Sequence, residues 1–497
     1  MSKITFVNPP FTVWDSETPL PRTLENTTPS FGLCCLAAVV REKGHEARIV
    51  EAGALQLTLK ETLASILKQR PDIVGFRAST VSLNNAALLA KAIKEYDAKV
   101  VTILGGPHVT AEPSATLSRF PQFDIAVIGE GEQTLVELLD VIAAKGIQAH
   151  EGLKDTLGIA FRGGSGEVVL TAKRPYIKDL DSLPMPAWDL LEGFPDRYQP
   201  PLLSYKALPV ASMVTSRGCP FKCTFCDRSV FGNRYRGYSA AYMTRAIGHL
   251  VSVYGIRHLL FYDDLFAASE DRLNAVCNDM ISNRLNVSWS CDARVNAVTQ
   301  KSLALMKKAG CWEIAFGIES GSQKILDLVA KDITIKDIET GVRLTHEAGI
   351  KVKGLFMMGH PGETSETIRE TVELATRLPF DIINISKLTP YPGTALYKDA
   401  LKYGTFDPDW DRMNSLSFVF VPHGFTREAL EVEYRMALKK FYWRPGKTIA
   451  LLCALMRDRA GLKRLLKAQN DFLRFKAGRY FRKAASSLGF STKAKNA

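Results

Sequence analysis

The sequence of 497 residues predicts an α/β protein with two successive domains and a basic helical tail. In both domains, short apolar segments of strand length alternate with amphipathic segments of helix length, which is typical of parallel sheets covered by helices. A stretch rich in proline and aspartate separates the two alternating regions. We therefore expect a first domain over residues 1–150, a linker over 151–203, a barrel over 204–426 and a helical basic extension over 427–497.

The first domain is predicted to be a doubly wound, Rossmann-like sheet. Its strands are expected at 4–7, 47–50, 73–77, 100–104 and 125–128, and its helices at 32–43, 59–69, 84–96, 114–117 and 133–144. Sheets of this class bind ligands at the loops beyond the carboxyl ends of their strands. The candidate binding residues in these loops are Ser79, Thr80, Gly105, Gly106, Pro107, His108, Gly129, Glu130, Gly131 and Glu132.

The second domain is predicted to be a partial, TIM-like (β/α)6 barrel. Its strands are expected at 211–215, 258–262, 286–291, 313–317, 353–357 and 382–387, with helical sequence between them. Barrels of parallel strands place their chemistry at the carboxyl ends of the strands. The loop that follows the first of these strands is therefore a candidate site.

The composition predicts a cytoplasmic protein. Hydrophobic residues make up 46% of the chain and charged residues 23%, which is ordinary for a globular protein. We find no signal peptide, and no apolar run approaches the roughly 18–20 residues that cross a bilayer. Nine cysteines without a secretory signal indicate a reducing compartment, where thiols bind metal rather than form disulfides.

The positive charge of the chain is concentrated in the tail. The net charge is +12, yet from Arg435 to the end 17 lysines and arginines stand against 2 acidic residues, which leaves the preceding part at −3. Apolar Leu462 and Leu465 are interleaved with basic Lys463 and Arg464. Such sequence predicts either contact with the anionic inner surface of the membrane or a solvated helix packed on the barrel. Nucleic-acid binding is not expected.

The most informative motif is the cysteine triad Cys219, Cys223 and Cys226, spaced C-x3-C-x2-C directly after the first predicted barrel strand. A structural zinc site would need four ligands, often as two C-x2-C pairs, and the second pair is absent from the sequence. A ferredoxin-type cluster would need a C-x2-C-x2-C run with a remote fourth cysteine. The third interpretation, which we favour, is a 4Fe–4S cluster with three protein ligands and one iron open to another molecule.

The triad, with aromatic Phe225 before its last cysteine, resembles the signature of the radical S-adenosylmethionine (SAM) superfamily. This resemblance implies that the open iron binds SAM and that the reduced cluster cleaves it. At the strand ends, Asp263 and Asp264 suit the ammonium group of SAM, and Arg294 suits its carboxylate. The full set of expected SAM contacts is Phe225, Asp263, Asp264, Arg294, Glu319 and Gly359.

The first domain resembles the cobalamin-binding domain that is often fused to radical SAM barrels, over roughly residues 3–145. The motifs that carry this resemblance are Gly105-Gly-Pro-His108 and Gly129-Glu-Gly-Glu132. It implies that the ten loop residues named above contact cobalamin, with glycines that let the backbone approach the cofactor closely. The D-x-H-x-x-G motif that supplies an axial histidine in other cobalamin proteins is absent from the sequence, so we expect no histidine ligand of that kind.

Together the two resemblances imply a methyltransferase that uses SAM, a 4Fe–4S cluster and cobalamin to methylate an unactivated carbon of a small or hydrophobic substrate. An oxidative cyclase or ring-rearranging enzyme has the same two domains and is the alternative. A methylthiotransferase acting on RNA or protein is disfavoured, because it carries three further cluster cysteines where this chain has only Cys34 and Cys35. The apolar segment 356–358 and the tail suggest a lipid-like substrate. An external electron donor of the flavodoxin or ferredoxin type is also expected.

Overall fold

The computed structural model describes residues 2–10, 27–146, 150–458 and 460–467, and the structural statements below concern these residues. Their strands form one sheet of seven strands, one sheet of six strands and two short two-stranded sheets. The seven-stranded sheet lies in the first half of the chain, and the six-stranded sheet lies where the barrel is predicted.

The first sheet is doubly wound. Its strands are β1 (Lys3–Asn8), β2 (Glu46–Glu51), β3 (Ile73–Arg77), β4 (Val101–Gly105), β5 (Ile125–Val127), β6 (Ile159–Arg162) and β7 (Val168–Leu170). Their spatial order is β2-β1-β3-β4-β5-β6-β7, and β1 to β5 are parallel. The accompanying helices are α1 (Phe31–Glu42), α2 (Leu59–Lys68), α3 (Leu83–Tyr96), α4 (Pro107–Ala111), α5 (Pro113–Arg119), α6 (Gly131–Lys145) and α7 (His150–Asp155). The parallel strands confirm the predicted fold class of this domain.

Strands β6 and β7 extend the first sheet as an antiparallel hairpin that the sequence analysis did not predict. They lie in the interval 151–203, which was predicted to be a linker. The hairpin forms because Ile159 and Phe161 are buried in the core, while glycines supply the turn. One of these, Gly166, has a φ of 87°, which favours glycine. The first sheet therefore continues beyond residue 150.

The apolar residues of the first sheet divide between its two faces. Phe6 and Ile103 pack with α1 and α6, whereas Val74 and Leu104 pack with α2 and α3. Because successive side chains of a strand point to opposite faces, the same strands anchor both helix layers. The edge of the sheet at the carboxyl ends of its strands is left to loops.

The second sheet forms a partial barrel. The strands that follow β7 are β8 (Val210–Met213), β9 (Ser216–Arg217), β10 (Arg236–Gly237), β11 (His258–Phe261), β12 (Ser288–Ala293), β13 (Cys311–Glu319), β14 (Lys351–Met358), β15 (Ile382–Lys387), β16 (Gly404–Phe406) and β17 (Phe420–Pro422). Strands β8 and β11 to β15 are parallel, in the order β15-β14-β13-β12-β11-β8. The pairs β9–β10 and β16–β17 are antiparallel. The six parallel strands confirm the predicted six-unit barrel.

Helices cover the outer surface of this barrel. They are α8 (Ala240–Tyr254), α9 (Glu270–Ser282), α10 (Gln300–Lys308), α11 (Gln323–Leu328), α12 (Ile335–Glu347), α13 (Ser365–Arg377) and α14 (Ala395–Tyr403). Trp289, Phe316 and Phe356 point towards them and are fully buried. Successive side chains of a strand point to opposite faces. Asp292 lies three residues after Trp289, and Lys353 lies three residues before Phe356, so both point into the concave interior. The interior of the barrel is therefore more polar than its outer layer.

The linker packs across the junction of the two domains. The Trp188 ring lies 6.4 Å from the ring of Phe31 in α1 and 6.0 Å from the ring of His249 in α8, centroid to centroid. Apolar residues of both domains belong to one continuous buried cluster. This core holds the strand ends of the first sheet close to those of the barrel.

The carboxyl-terminal helices pack very differently from each other. Helix α15 (Arg427–Tyr442) buries Leu430 and Phe441. Helix α16 (Pro445–Arg457) buries none of its described side chains, and a further helix covers residues 460–467. Within the described ranges, no helix combines the length and the hydropathy needed to cross a bilayer.

Candidate active site

The three predicted cluster ligands lie on one loop between β9 and β10, at the carboxyl end of the barrel. Backbone hydrogen bonds fix this loop: the Thr224 amide donates to the Val329 carbonyl at 3.0 Å, and the Cys226 amide donates to the Cys223 carbonyl at 3.2 Å. Cys223 is buried, Cys219 is partly buried and Cys226 is exposed. The loop is thus anchored to the barrel while part of it stays accessible.

The three thiols are close enough to influence one another. Although part of Cys226 is exposed, desolvation by the surrounding protein raises the pKa of its thiol to about 12, and the negative charges of Asp264, Cys223 and Cys219 act in the same direction. In the described part of the chain, no three His, Cys, Asp or Glu side chains converge tightly enough to hold a single metal ion. The sequence places three cysteines on this loop, and three thiolate ligands suit a cluster with one open iron.

Phe225 and Glu319 lie on either side of a lysine that the sequence analysis did not identify. The Lys331 ammonium donates to the Glu319 carboxylate at 2.6 Å and lies 5.9 Å from the centre of the Phe225 ring. Both members of the ion pair are buried. Glu319 has a φ of 66°, a left-handed conformation that costs on the order of 1–3 kcal/mol and persists where the surroundings fix it. No motif marks Lys331, so the sequence carries no signal for it.

The turn after β14 brings Gly359 and His360 onto a buried glutamate. The Gly359 amide donates to the Glu363 carboxylate at 2.5 Å, and the His360 amide donates to it at 3.2 Å. Burial raises the pKa of Glu363 to about 8 and lowers the pKa of His360 to about 4. His360 is therefore neutral near pH 7. Its ring lies 6.4 Å from that of Phe225, which places this turn beside the cysteine loop.

Two further predicted SAM contacts, like Glu319, already have protein partners. Asp263 accepts three hydrogen bonds of 2.6 Å, two from the amide and hydroxyl of Thr215 and one from the hydroxyl of Ser216. The guanidinium of Arg294 donates to the carbonyls of Lys331 and Asp332 and lies 3.5 Å from the centre of the Phe221 ring. Both side chains shape the strand ends. Their predicted contacts with SAM stay predictions.

A cavity of about 410 Å³ separates the loops of the first domain from the cysteine loop. Seven of the ten predicted cobalamin residues line it: Gly105, Gly106, Pro107, Gly129, Glu130, Gly131 and Glu132. The barrel side contributes Arg217, Asp227 and Asp264, and burial raises the pKa of Asp264. One end of the cavity is apolar and runs between α1 and the sheet, against Phe31 and Ile103. Both domains therefore open onto one space.

Glycines leave parts of the first-domain wall of this cavity free of side chains. A Cβ at Gly105 would meet nothing closer than a carbonyl oxygen at 3.9 Å, and a Cβ at Gly32 would meet nothing within 4 Å. Both glycines line the cavity, so side chains at these positions would fill it. Gly106 has a φ of 112°, and a Cβ there would lie 2.6 Å from the Ala78 carbonyl oxygen. The residues present fit a corrin at this wall.

The other three predicted cobalamin residues lie behind the wall. The Nδ1 atom of His108 lies 3.0 Å from the hydroxyl of Thr80, and its ring packs edge-on against Trp410 at 4.3 Å. Ser79 and Ser82 bond to each other at 3.2 Å between their hydroxyl oxygens. None of the three lines the cavity, so their role in cofactor binding stays a prediction.

Glu130 and Glu132 form ion pairs with the barrel. Arg217 donates to Glu130 at 2.9 Å and to Glu132 at 2.6 Å, and Arg236 donates to Glu130 at 2.9 Å. These carboxylates were predicted to contact cobalamin, yet their oxygens already bond to guanidinium groups of the barrel. Their arginine partners lie 85 to 106 residues away in the chain, a separation at which no sequence pattern links them.

Comparisons with known proteins agree with this geometry. A family model described as a B12 binding domain matches residues 18–139, and one described as the radical SAM superfamily matches residues 213–375. An uncharacterized methyltransferase of Pyrococcus horikoshii is 35% identical over 89% of this chain and 93% of its own length. The chain belongs to the cobalamin-dependent radical SAM methyltransferase family. It is therefore an enzyme of the radical SAM type.

Two further similarities define the breadth of this family. The anaerobic magnesium-protoporphyrin IX monomethyl ester cyclase of Rubrivivax gelatinosus is 28% identical over 82% of this chain and 72% of its own length. The solved structure of the cobalamin-dependent S-adenosylmethionine radical enzyme OxsB, with aqua-cobalamin and S-adenosylmethionine bound, superposes with a TM-score of 0.71 at 17% identity. That superposition covers 96% of this chain and 75% of OxsB, which supports the fold.

The two matched domains confirm the predicted family, fold and cofactor set of 4Fe–4S cluster, SAM and cobalamin. They also cover the cysteine triad and both glycine loops.

Proposed function

We propose that the protein transfers a methyl group from cobalamin to an unactivated carbon of a small molecule. The observation that carries this proposal is the shared cavity, in which Gly105 and Gly129 of the first domain face Asp227 and Asp264 of the barrel. A methyl carrier held by the first domain and SAM held by the barrel would then reach the same substrate. When bound, the cluster and SAM supply one-electron reductive cleavage, and cobalamin supplies the methyl group.

We assign Cys219, Cys223 and Cys226 as the cluster ligands. Phe225, the Glu319 carboxylate with its Lys331 partner and the Gly359 turn surround the place where SAM would bind the open iron. Of the two neighbouring aspartates, Asp264 is the better candidate for the ammonium group, because it lines the cavity while the oxygens of Asp263 bond to Thr215 and Ser216. Arg294 would act mainly by holding the segment that carries Lys331.

We assign the first domain as the cobalamin site, with the glycine-lined wall against the corrin. The apolar end of the cavity between α1 and the sheet suits the less polar tail of the cofactor. The histidine among the predicted cobalamin residues, His108, lies behind this wall, and its Nδ1 atom lies 3.0 Å from the hydroxyl of Thr80. The chain's role here is to hold the cofactor and to exclude water from the space above it.

Anaerobic reconstitution tests the cluster assignment. The full chain should bind about four irons and show the visible spectrum of a 4Fe–4S cluster. Replacing Cys219, Cys223 and Cys226 by alanine should abolish both signals, whereas Cys453→Ala in α16 is the matched control and should leave them unchanged. A cluster that survives the triple replacement would refute the assignment.

The cyclase alternative is supported by the similarity to the Rubrivivax gelatinosus enzyme. Incubation with SAM, a low-potential reductant and cobalamin, followed by mass spectrometry, separates the two activities. S-adenosylhomocysteine formed together with 5′-deoxyadenosine indicates methyl transfer, because one SAM remethylates the cobalamin and another is cleaved. 5′-Deoxyadenosine alone indicates cyclase-type chemistry. An external flavodoxin- or ferredoxin-type protein is the proposed physiological reductant.

The concave face of the barrel supports a substrate with both apolar and polar parts. Leu355 and Met357 lie on the inner face of β14 and are partly exposed. Met357 belongs to the same apolar cluster as Phe225 of the cysteine loop. Lys353 on the same strand and Asn384 on β15 add polar groups to this face. A small molecule with an apolar body and a polar end would fit this mixture.

We also propose that the protein works in the cytoplasm at an anionic membrane surface, through α16. Ile449, Leu452 and Met456 are spaced along one face of this helix and are 54–64% exposed. Trp443, just before the helix, is 75% exposed. The surplus of basic residues from Arg435 onwards complements anionic lipid headgroups.

A flotation assay tests membrane contact. The full chain should float with vesicles containing phosphatidylglycerol and stay in solution with pure phosphatidylcholine. Deletion of the residues after Arg444 should abolish flotation. If the shortened chain floats as well as the full chain, the tail does not bind membranes, and it is then a solvated helix.

A further inference from the structure

A buried network of four charged side chains joins the two cofactor-binding domains. We call Glu130, Glu132, Arg217 and Arg236 the Glu–Arg junction. Arg217 bridges both carboxylates, at 2.9 Å and 2.6 Å, and Arg236 donates to both oxygens of Glu130, at 2.9 Å and 3.0 Å. The four side chains are only 4–12% exposed. Two negative and two positive groups thus balance each other away from water.

Stability alone does not account for the Glu–Arg junction. Removing ions from water costs several kcal/mol for each ion, and well-packed apolar residues in the same place are often as stabilising or more so. An apolar core already continues across the two domains. What the ion pairs add is geometry, because a guanidinium shared between two carboxylates fixes both distance and angle.

One side of the Glu–Arg junction is built onto the cysteine loop. Only Gly218 separates Arg217 from Cys219, and it has a φ of 83°. A Cβ at Gly218 would clash with the Arg234 carbonyl oxygen, so the chain is confined there. On the other side of Arg217, Asp263 holds Ser216 through a hydrogen bond of 2.6 Å. The confined backbone therefore links the position of Cys219 to that of Arg217.

The other side of the Glu–Arg junction is the wall of the cavity. Glu130 and Glu132 flank Gly131, and these three residues line the cavity together with Arg217. Glu130 also accepts a hydrogen bond of 2.8 Å from the Ile177 amide, which fixes its carboxylate from a third direction. A molecule that fills the cavity would rest on the same loop that holds Arg217.

We propose that the Glu–Arg junction is a positioning device that sets the separation between the cobalamin site and the cluster site, with Arg217 as its central positioning residue. This inference rests on the proposed function. It has an energetic consequence: occupation of either site orders the loop that shapes the other. Because thermodynamic linkage is reciprocal, cluster assembly and cobalamin binding strengthen each other by the same factor.

The separation is measured by pulsed electron paramagnetic resonance in the full-length holoprotein, from the dipolar coupling between cob(II)alamin and the reduced cluster. The native chain should give one narrow distance distribution. Arg217→Met should broaden and shift it. Arg217→Lys keeps the charge but loses the planar fork, and should give an intermediate result. The matched control is Arg377→Met, which removes a 2.6 Å ion pair to Glu339 on the outside of the barrel and should change nothing.

The coupling is measured by titrating hydroxocobalamin into cluster-free and cluster-loaded protein and following the visible absorbance. We expect the cluster-loaded native chain to bind hydroxocobalamin about tenfold more tightly than the cluster-free chain. In Glu132→Gln the ratio of these two affinities should be near one. Unchanged distance distributions in both Arg217 variants, or a ratio that survives Glu132→Gln, would overturn the proposal. If Arg217→Met fails to fold, the Arg217→Lys and Glu132→Gln variants test the proposal in its place. A native chain that binds neither cofactor would instead refute the proposed function.

Discussion

The two walls of the central cavity differ in how they meet a ligand. The first-domain wall combines glycines, among them Gly105 and Gly129, with apolar side chains such as Ile103. Its carboxylates, Glu130 and Glu132, are already paired with arginines. The barrel wall presents charged side chains, among them Arg217 and Asp264. One wall therefore selects by shape and the other by charge. The difference suits a large corrin on one side and a small, charged sulfonium compound on the other.

Substitutions should affect the two walls differently. A wall defined by shape is blocked when a side chain is added, but it keeps its stability if the backbone conformation allows that residue. A wall defined by buried charge is destabilised when a single partner is removed, since the remaining ion has no counter-charge. The predictions below compare the loss of buried charge within the barrel with added bulk at the first-domain wall, from the largest expected effect to the smallest.

The largest effect is expected at the buried Glu319–Lys331 pair. Lys331→Met leaves the Glu319 carboxylate buried without a counter-charge, so the free energy of unfolding should fall by roughly 3–5 kcal/mol. The double variant Lys331→Met/Glu319→Gln should recover much of that loss. Anaerobic urea unfolding measures both. Lys402→Met, which removes an exposed ion pair with Asp399, is the control and should cost less than about 1 kcal/mol.

A smaller, more selective effect is expected at Gly105. Gly105→Val places a side chain in the cavity without a backbone clash, so hydroxocobalamin should bind about tenfold more weakly, equivalent to ~1.4 kcal/mol. The iron content and the unfolding midpoint should stay as in the native chain. Gly164→Val, in an exposed turn with nothing within 4 Å, is the matched control. Native affinity in Gly105→Val would show that this wall does not select by shape.

The smallest effect, taken over one pH unit, is a pH dependence of stability from Glu363. Burial raises the pKa of this carboxyl from 4.5 to about 8, so between these values the folded chain holds a proton that the unfolded chain has lost. Stability should therefore decrease as the pH rises through this window, by at most about 1.4 kcal/mol per pH unit. Glu363→Gln should flatten the dependence when urea unfolding is compared between about pH 5 and pH 8. The exposed control, Glu428→Gln, should keep the slope of the native chain. If Glu363→Gln also keeps that slope, the pH dependence arises from other groups.

Much of the fold follows from local sequence. Alternation of apolar strands with helices predicts both sheets, and all six barrel strands lie within a few residues of their predicted bounds. The β6–β7 hairpin was not predicted, because its strands are short and its partner β5 is distant in sequence. Its glycine-rich turn, from Gly163 to Gly166, was the signal that could have revealed it.

The site was predictable where its residues are contiguous. The cysteine triad and the glycine loops are short motifs. The structure places the glycine loops and residues 227–232 of the cysteine loop around one cavity. Lys331 and Glu363 were not predicted, because each becomes part of the site only when separate strand ends converge. Asp263 was predicted to contact SAM, yet in the structure its oxygens accept hydrogen bonds from Thr215 and Ser216.

The sequence by itself determined the cysteine spacing, the order of the two domains and hence the family, because ligand spacing and strand–helix periodicity are encoded over a few neighbouring residues. Only the tertiary structure decided which charges meet. Glu130 and Arg217 stand 87 residues apart and become partners because the first sheet docks on the barrel with the strand ends of both facing one cavity. Such pairing depends on packing between distant elements, which no local pattern records.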